Sequence, residues 1–158
     1  MPLWTTYLSL WSRHQTEVLK HIGATNKNMR YPIHNHLQEE PCTEKCPSYR
    51  EQVKHAAVIF YVMRNRGNNA VAPTKDTLAL YKTGLITWEG YEARYKVQLE
   101  SDEAYSWMED VLSDLEDGLH VVLVCFEKDP AKCHRRLLAE KIKAEFPEID
   151  YRGEIKLE

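Results

Sequence analysis

The sequence predicts an α/β domain: a mostly parallel sheet flanked by helices, in a single unit. Three observations predict it. Ala56–Met63 (AAVIFYVM) is an unbroken apolar run rich in β-branched and aromatic residues, the pattern of a strand covered on both faces. His120–Cys125 (HVVLVC) is a second run of the same kind. Between and after them lie stretches with helical spacing and cap residues, and strands alternating with helices imply crossover connections. At 158 residues the chain suits one domain with a sizeable core.

The elements follow in order. Leu3–Leu10 mixes aromatic, β-branched and leucine residues and reads as a first strand. Trp11–Ile22 reads as a short helix with Ser12 as N-cap and Gly23 as its stop. Residues 24–55 read as an inserted loop or small subdomain, polar and punctuated by Pro32, Pro41 and Pro47. After the Ala56–Met63 strand, Arg64 to Asn69 (RNRGNN) turns the chain. Thr74 caps a helix that ends at Gly84, and Thr87 begins another with Trp88, Tyr91, Tyr95 and Leu99 on one face. Asp102 begins a third, with Tyr105, Met108, Val111, Leu112 and Leu115 on one face, closed by Gly118. The His120–Cys125 strand leads through a loop at Phe126–Lys132 into a helix from Cys133 to Glu145, stopped by Pro147. Ile149–Leu157 alternates weakly and reads as an edge strand, with Gly153 at a bulge.

Composition narrows the function. Hydrophobic residues at 43% and charged residues at 28% exclude collagen, coiled coil and wholesale disorder. No apolar stretch approaches the roughly 18 residues that cross a bilayer, so no membrane partner is expected. The opening MPLWTTYLSLWSRH has neither a basic n-region nor a small-residue cleavage site, and a cytoplasmic protein is the expectation. A net charge of −3 argues against a general nucleic-acid coat but leaves room for a local basic pocket. Four cysteines without a secretory signal point to thiols, metal ligands or catalytic groups rather than a disulfide framework.

The segment from Val121 to Arg136 carries the chemistry. It reads as strand, tight loop and helix N-terminus, and ligands of open α/β sheets sit beyond the carboxyl ends of strands. A helix start favours an anion, and a thiol there becomes a reactive thiolate, so Cys133 is a candidate catalytic group. His134 can move a proton, and Glu127, two residues past the strand, can act as general base. Arg135 offers a fork for phosphate or carboxylate, with Cys125 and Lys128 beside it as further binding residues. Taken singly, each is more often structural: Cys125 a small buried hydrophobe, Glu127 and Lys128 surface charges. Together at a strand–loop–helix junction they mark a site. Arg64, with Arg66 and Asn68–Asn69, follows another strand end and could join Arg135 in one anion pocket; the alternative is a solvated turn. The spacing is not the C-x5-R of cysteine phosphatases, and no Walker A, G-x-G-x-x-G or G-x-S-x-G is present. Trp4, Trp11, Trp88, Tyr91, Tyr95 and Trp107 are read as core rather than as base-stacking platforms.

Cys125-x-Glu127-Lys128-Asp129-Pro130-x-x-Cys133-His134-Arg135 resembles the hallmark of the uncharacterised family catalogued as domain of unknown function 488. Thr5–Tyr7, Val58–Arg64, Val71–Lys75 and the Tyr81–Trp88 segment with Tyr91 and Tyr95 resemble its shorter, archaeal-like branch. Residues 24–55 have no counterpart in it. The resemblance implies an α/β domain with its site at the motif. It brings no established reaction, and members are suspected of acting on nucleotides or nucleic acids.

The insert suggests a metal of its own. His34, His36, Cys42 and Cys46 place four ligands suited to zinc within 13 residues, although the spacing is not a standard knuckle. A structural zinc there would staple a long polar loop. The alternatives are incidental His and Cys in a loop, or a site using His14, His21 or His55. Three functions then compete. The first is an enzyme acting on a nucleotide or nucleic-acid component. The second is a non-catalytic module binding a phosphorylated small molecule or a nucleic-acid end. The third is a thiol redox protein using Cys125 and Cys133.

Overall fold

The computed structural model describes residues 1–24, 26–27 and 56–157. The expected insert therefore lies almost entirely outside the described residues, and with it His34, His36, Cys42, Cys46 and His55. The described chain forms β1 (Pro2–Tyr7), α1 (Leu8–Arg13), α2 (Gln15–Ile22), the two-residue β2 (Asn26–Lys27) and β3 (Ala56–Tyr61). It continues with α3 (Lys75–Lys82), α4 (Trp88–Gln98), α5 (Asp102–Glu116), β4 (His120–Cys125), α6 (His134–Glu145) and β5 (Asp150–Glu154). The strands form one sheet in the order β2-β3-β4-β1-β5, and each neighbouring pair is parallel.

β4 is central because its sequence has no polar face to offer: Val121, Val122, Leu123 and Val124 are all fully buried. Helices cover both faces. Trp11 of α1 donates its indole N–H to the Tyr61 hydroxyl at 3.1 Å on one side. On the other side Trp107 of α5 meets Phe60, the preceding residue of β3, edge to face at 5.5 Å. Phe60 pairs with Leu123 and Leu123 with Thr5, and α6 lies over this same face, since its Arg135 shares Glu154 with Thr5. Thus β1 leaves the sheet into a helix on one face, and its neighbour β4 into a helix on the other. The carboxyl ends of β1 and β4, where Tyr7 pairs with Cys125, are a topological switch point of the kind that opens a ligand crevice.

Three helix starts carry side-chain caps, Thr74 as expected and Thr87 and Ser101 besides. Thr74 accepts from the Thr77 amide, Thr87 from the Gly90 amide and Ser101 from the Ala104 amide. The N-terminal region departs from expectation. The first strand stops at Tyr7 rather than Leu10, and the helical stretch is two helices broken at His14, so Ser12 is no cap. Leu8, Leu10 and Trp11 suit either period; turning at Leu8 buries Trp11 against the sheet, and tertiary packing decides. β3 ends at Tyr61, although Val62 still donates to the Val124 carbonyl at 2.9 Å. In the turn that follows, a Cβ on Gly67 would overlap the Tyr61 carbonyl oxygen and lie 2.8 Å from that of Met63. β5 is an edge strand whose register against β1 shifts between Leu3 and Trp4, leaving Arg152 as the extra residue beside Gly153 at φ 83°.

Candidate active site

The site is made where β4 ends and α6 begins. Cys125 is the last residue of β4. Asp129 accepts from the Ala131 amide at 3.0 Å, and Pro130 opens a short 3-10 turn to Lys132, which folds the loop back on the strand. Cys133 then stands extended as the N-cap of α6, without a side-chain capping bond. The loop thereby returns Cys133 and His134 to the side of Cys125. One ligand atom from each of the three lies within 4.8 Å of the others, and all three residues are buried.

His134 is fixed by its surroundings. Its Nε2 lies 2.6 Å from the Val62 carbonyl oxygen, which can only accept, so Nε2 carries the proton. Its Nδ1 lies 3.6 Å from the Cys125 sulfur, which is also 3.4 Å from Nε2. The Tyr95 ring meets the imidazole edge to face at 5.5 Å, and Tyr95 is itself anchored through its hydroxyl to the Val71 carbonyl at 2.6 Å.

The thiols share one negative charge unequally. A hydrogen bond from Cys125, then His134 and Arg135, hold the Cys133 thiol well below the ordinary range, against the opposing effect of burial. The same sulfur contact, together with burial, pushes Cys125 up, so it remains the thiol. Tyr91 is raised first by burial and then by the negative field of Cys133 and Glu127, and therefore keeps its proton.

Arg135 is wholly buried, and its fork faces the protein. Nε and Nη2 donate to the two carboxylate oxygens of Glu154 at 3.1 and 2.8 Å. Nη1 donates to the Glu127 carbonyl and Nη2 also to the Lys128 carbonyl. In this arrangement Arg135 holds the loop and ties α6 to β5, rather than offering a free phosphate fork. The side chains of Glu127 and Lys128 project into solvent from the loop it holds. Arg64 lies two residues past Val62, whose carbonyl meets His134, and so at the same edge of the sheet. Its Nε is buried and has no hydrogen-bond partner among the described residues. Trp11, Tyr91, Tyr95 and Trp107 are core residues, whereas Trp88 is only partly buried.

Sequence reasoning missed Glu154, Thr5 and the Val62 carbonyl. The Thr5 hydroxyl donates to the same Glu154 oxygen at 2.6 Å, so the acid that neutralises Arg135 is held on both sides. No spacing in the chain links Glu154 to Arg135; only the parallel pairing of β1 with β5 brings them together. Two surface hollows lie elsewhere and are not lined by the cluster: one around Asn68, Thr74, Gln98 and Ser101, the other around His14, Glu17 and His21. Among the described residues no helix is long and apolar enough to cross a membrane.

The model of the family described as the Active DUF488-N3 subclade matches residues 66–145, half of the chain. The chain belongs to the DUF488 family. The DUF488 match runs from the turn after β3 to the last residue of α6, and so contains Cys125, Glu127, Cys133, His134 and Arg135. Glu154, Thr5 and Arg64 lie outside it. Neither the search of curated proteins nor that of solved structures gave a match.

Proposed function

We propose that this DUF488 protein is an enzyme acting on a nucleotide or nucleic-acid component, with the Cys125–Cys133–His134 cluster as its reaction centre. The observation that carries the reading is the convergence of these three side chains at the carboxyl end of β4, beside the switch point with β1. Packing alone does not call for it: two sulfurs and an imidazole among valines and leucines serve stability less well than hydrocarbon, and such local costs concentrate at functional sites. The subclade that matches is itself described as active.

The roles follow from position. Arg64, whose Nε has no partner among the described residues, receives a phosphate, and Lys128 adds positive charge at the rim. Arg135 is a positioning residue that fixes the loop. Glu127 transfers a proton from that loop. Cys133 and His134 act on the reacting atoms, and Cys125 keeps the charge on Cys133. The test is turnover over a panel of nucleotides and short oligonucleotides, read by product mass. Turnover by the wild type that disappears in folded Cys133→Ser supports the reading; equal turnover in the variant overturns it.

A second reading, a binding module without chemistry, draws on the burial of Cys133, only 2% exposed. It predicts binding of a phosphorylated ligand that tolerates Cys133→Ser but not loss of Arg64.

A further inference from the structure

Among the described residues, one group of three His, Cys, Asp or Glu side chains is close enough to share a metal ion: Cys125, Cys133 and His134. The chemistry of this group is selective. Two thiolates and an imidazole suit soft and borderline metals, and there is no carboxylate in the group to favour magnesium or calcium. The imidazole is already set for the purpose. Nε2–H is committed to the Val62 carbonyl, the outer contact that orients a metal-bound histidine, and it leaves Nδ1 as the donor. Nδ1 and the Cys125 sulfur are 3.6 Å apart. Bond lengths of about 2.3 Å to sulfur and 2.0–2.1 Å to nitrogen put two ligands of a tetrahedral zinc about 3.5 Å apart. The group as a whole spans up to 4.8 Å, so closure asks for side-chain adjustment of about an ångström.

The charges also balance. Arg135, next in the chain to His134, is neutralised by Glu154 at 2.8 Å and does not oppose a second cation. A divalent ion with two thiolates and a neutral imidazole is neutral overall, which makes it the form of this cluster that burial disfavours least. We infer that Cys125, Cys133 and His134 Nδ1 form a binding site for a thiophilic divalent metal, zinc foremost, with three protein ligands among the described residues and a fourth position left for a substrate or water. Three ligands and an open fourth position are the pattern of catalytic rather than structural zinc. The inference rests on the reading of this cluster as the reaction centre and gives Cys133 its part there, that of a ligand. It also differs from the zinc site expected at His34, His36, Cys42 and Cys46.

The chain has four cysteines, so the two sites can be separated. The experiment uses the full chain with Cys42→Ser and Cys46→Ser, stripped with a chelator and titrated with cobalt(II). Any thiolate-to-cobalt charge-transfer band then comes from Cys125 and Cys133. We expect that band with the intense visible bands of a tetrahedral site, at one equivalent of cobalt and displaced by zinc. No charge-transfer band in the folded protein would overturn the inference. Adding Cys133→Ser is expected to abolish tight binding; unchanged binding would also overturn it, and if this variant fails to fold, the cobalt spectrum decides alone. Turnover measured in parallel keeps the two readings apart. A metal-free protein that still turns over a nucleotide refutes the metal and leaves the enzyme reading standing. A cobalt site without turnover on any substrate does the reverse.

Discussion

Arg135 and Glu154 meet through two parallel hydrogen bonds, Nε to Oε2 and Nη2 to Oε1, with the guanidinium fully buried. This pair joins the helix that follows the cysteine loop to the edge strand β5, and the other donors of Arg135 hold the loop itself. Removing one partner of a buried pair leaves the other charged and unmatched. Arg135→Met is expected to cost about 3–5 kcal/mol. Urea unfolding measures it, and a loss below about 1 kcal/mol, the range of exposed pairs, would show the clamp to be incidental.

Gly67 should be nearly irreplaceable. Its missing Cβ would overlap the Tyr61 carbonyl, which belongs to β3 and cannot move without disturbing the sheet. Gly67→Ala is expected to destabilise by about 1–3 kcal/mol through overpacking. Thermal unfolding of the single variant is sufficient, and a neutral result would mean that the turn rearranges freely.

Arg64 is predicted to matter for binding and little for folding. Its buried Nε makes no hydrogen bond among the described residues, so Arg64→Met gives up no visible internal bond. Charge-assisted bonds to a phosphate are worth about 1.5–3 kcal/mol, or about ten- to hundred-fold in affinity. Isothermal titration with a bound nucleotide reads this, alongside unfolding. Unchanged affinity would remove Arg64 from the phosphate site.

Glu127 makes the opposite contrast between activity and stability. Its side chain is exposed, and only its backbone carbonyl serves the loop. Glu127→Gln is therefore expected to stay within about 0.5 kcal/mol of the wild type in stability. Loss of general acid–base work should lower kcat by about 10²–10⁴-fold. A kcat within a few-fold of the wild type would assign the proton transfer elsewhere.

The sheet was legible because its central strands are chemically extreme. Ala56–Tyr61 and His120–Cys125 can sit nowhere but between two layers, and Thr74 and Thr87 announce their helices by satisfying bare amides. The N-terminal boundary was not legible, since Leu8–Trp11 suits a strand or a helix equally and only burial of Trp11 chooses. At the site, Cys125, Cys133 and His134 could be gathered from one short segment because a strand, a tight turn and a helix start leave the chain little freedom. The fate of Arg135 could not be read, because its partner sits on a strand placed beside β1 by topology alone. An arginine close to a cysteine at a helix start looks the same in sequence whether it faces a ligand or a buried carboxylate.

The proposed chemistry stands or falls with the Cys125–Cys133–His134 cluster. The most direct test compares wild type and Cys133→Ser, both shown to be folded, for turnover of the nucleotide or oligonucleotide that the wild type consumes. A loss of at least about a hundred-fold is expected, the scale on which a reacting group or its metal contributes. Turnover by the serine variant at the wild-type rate would contradict it.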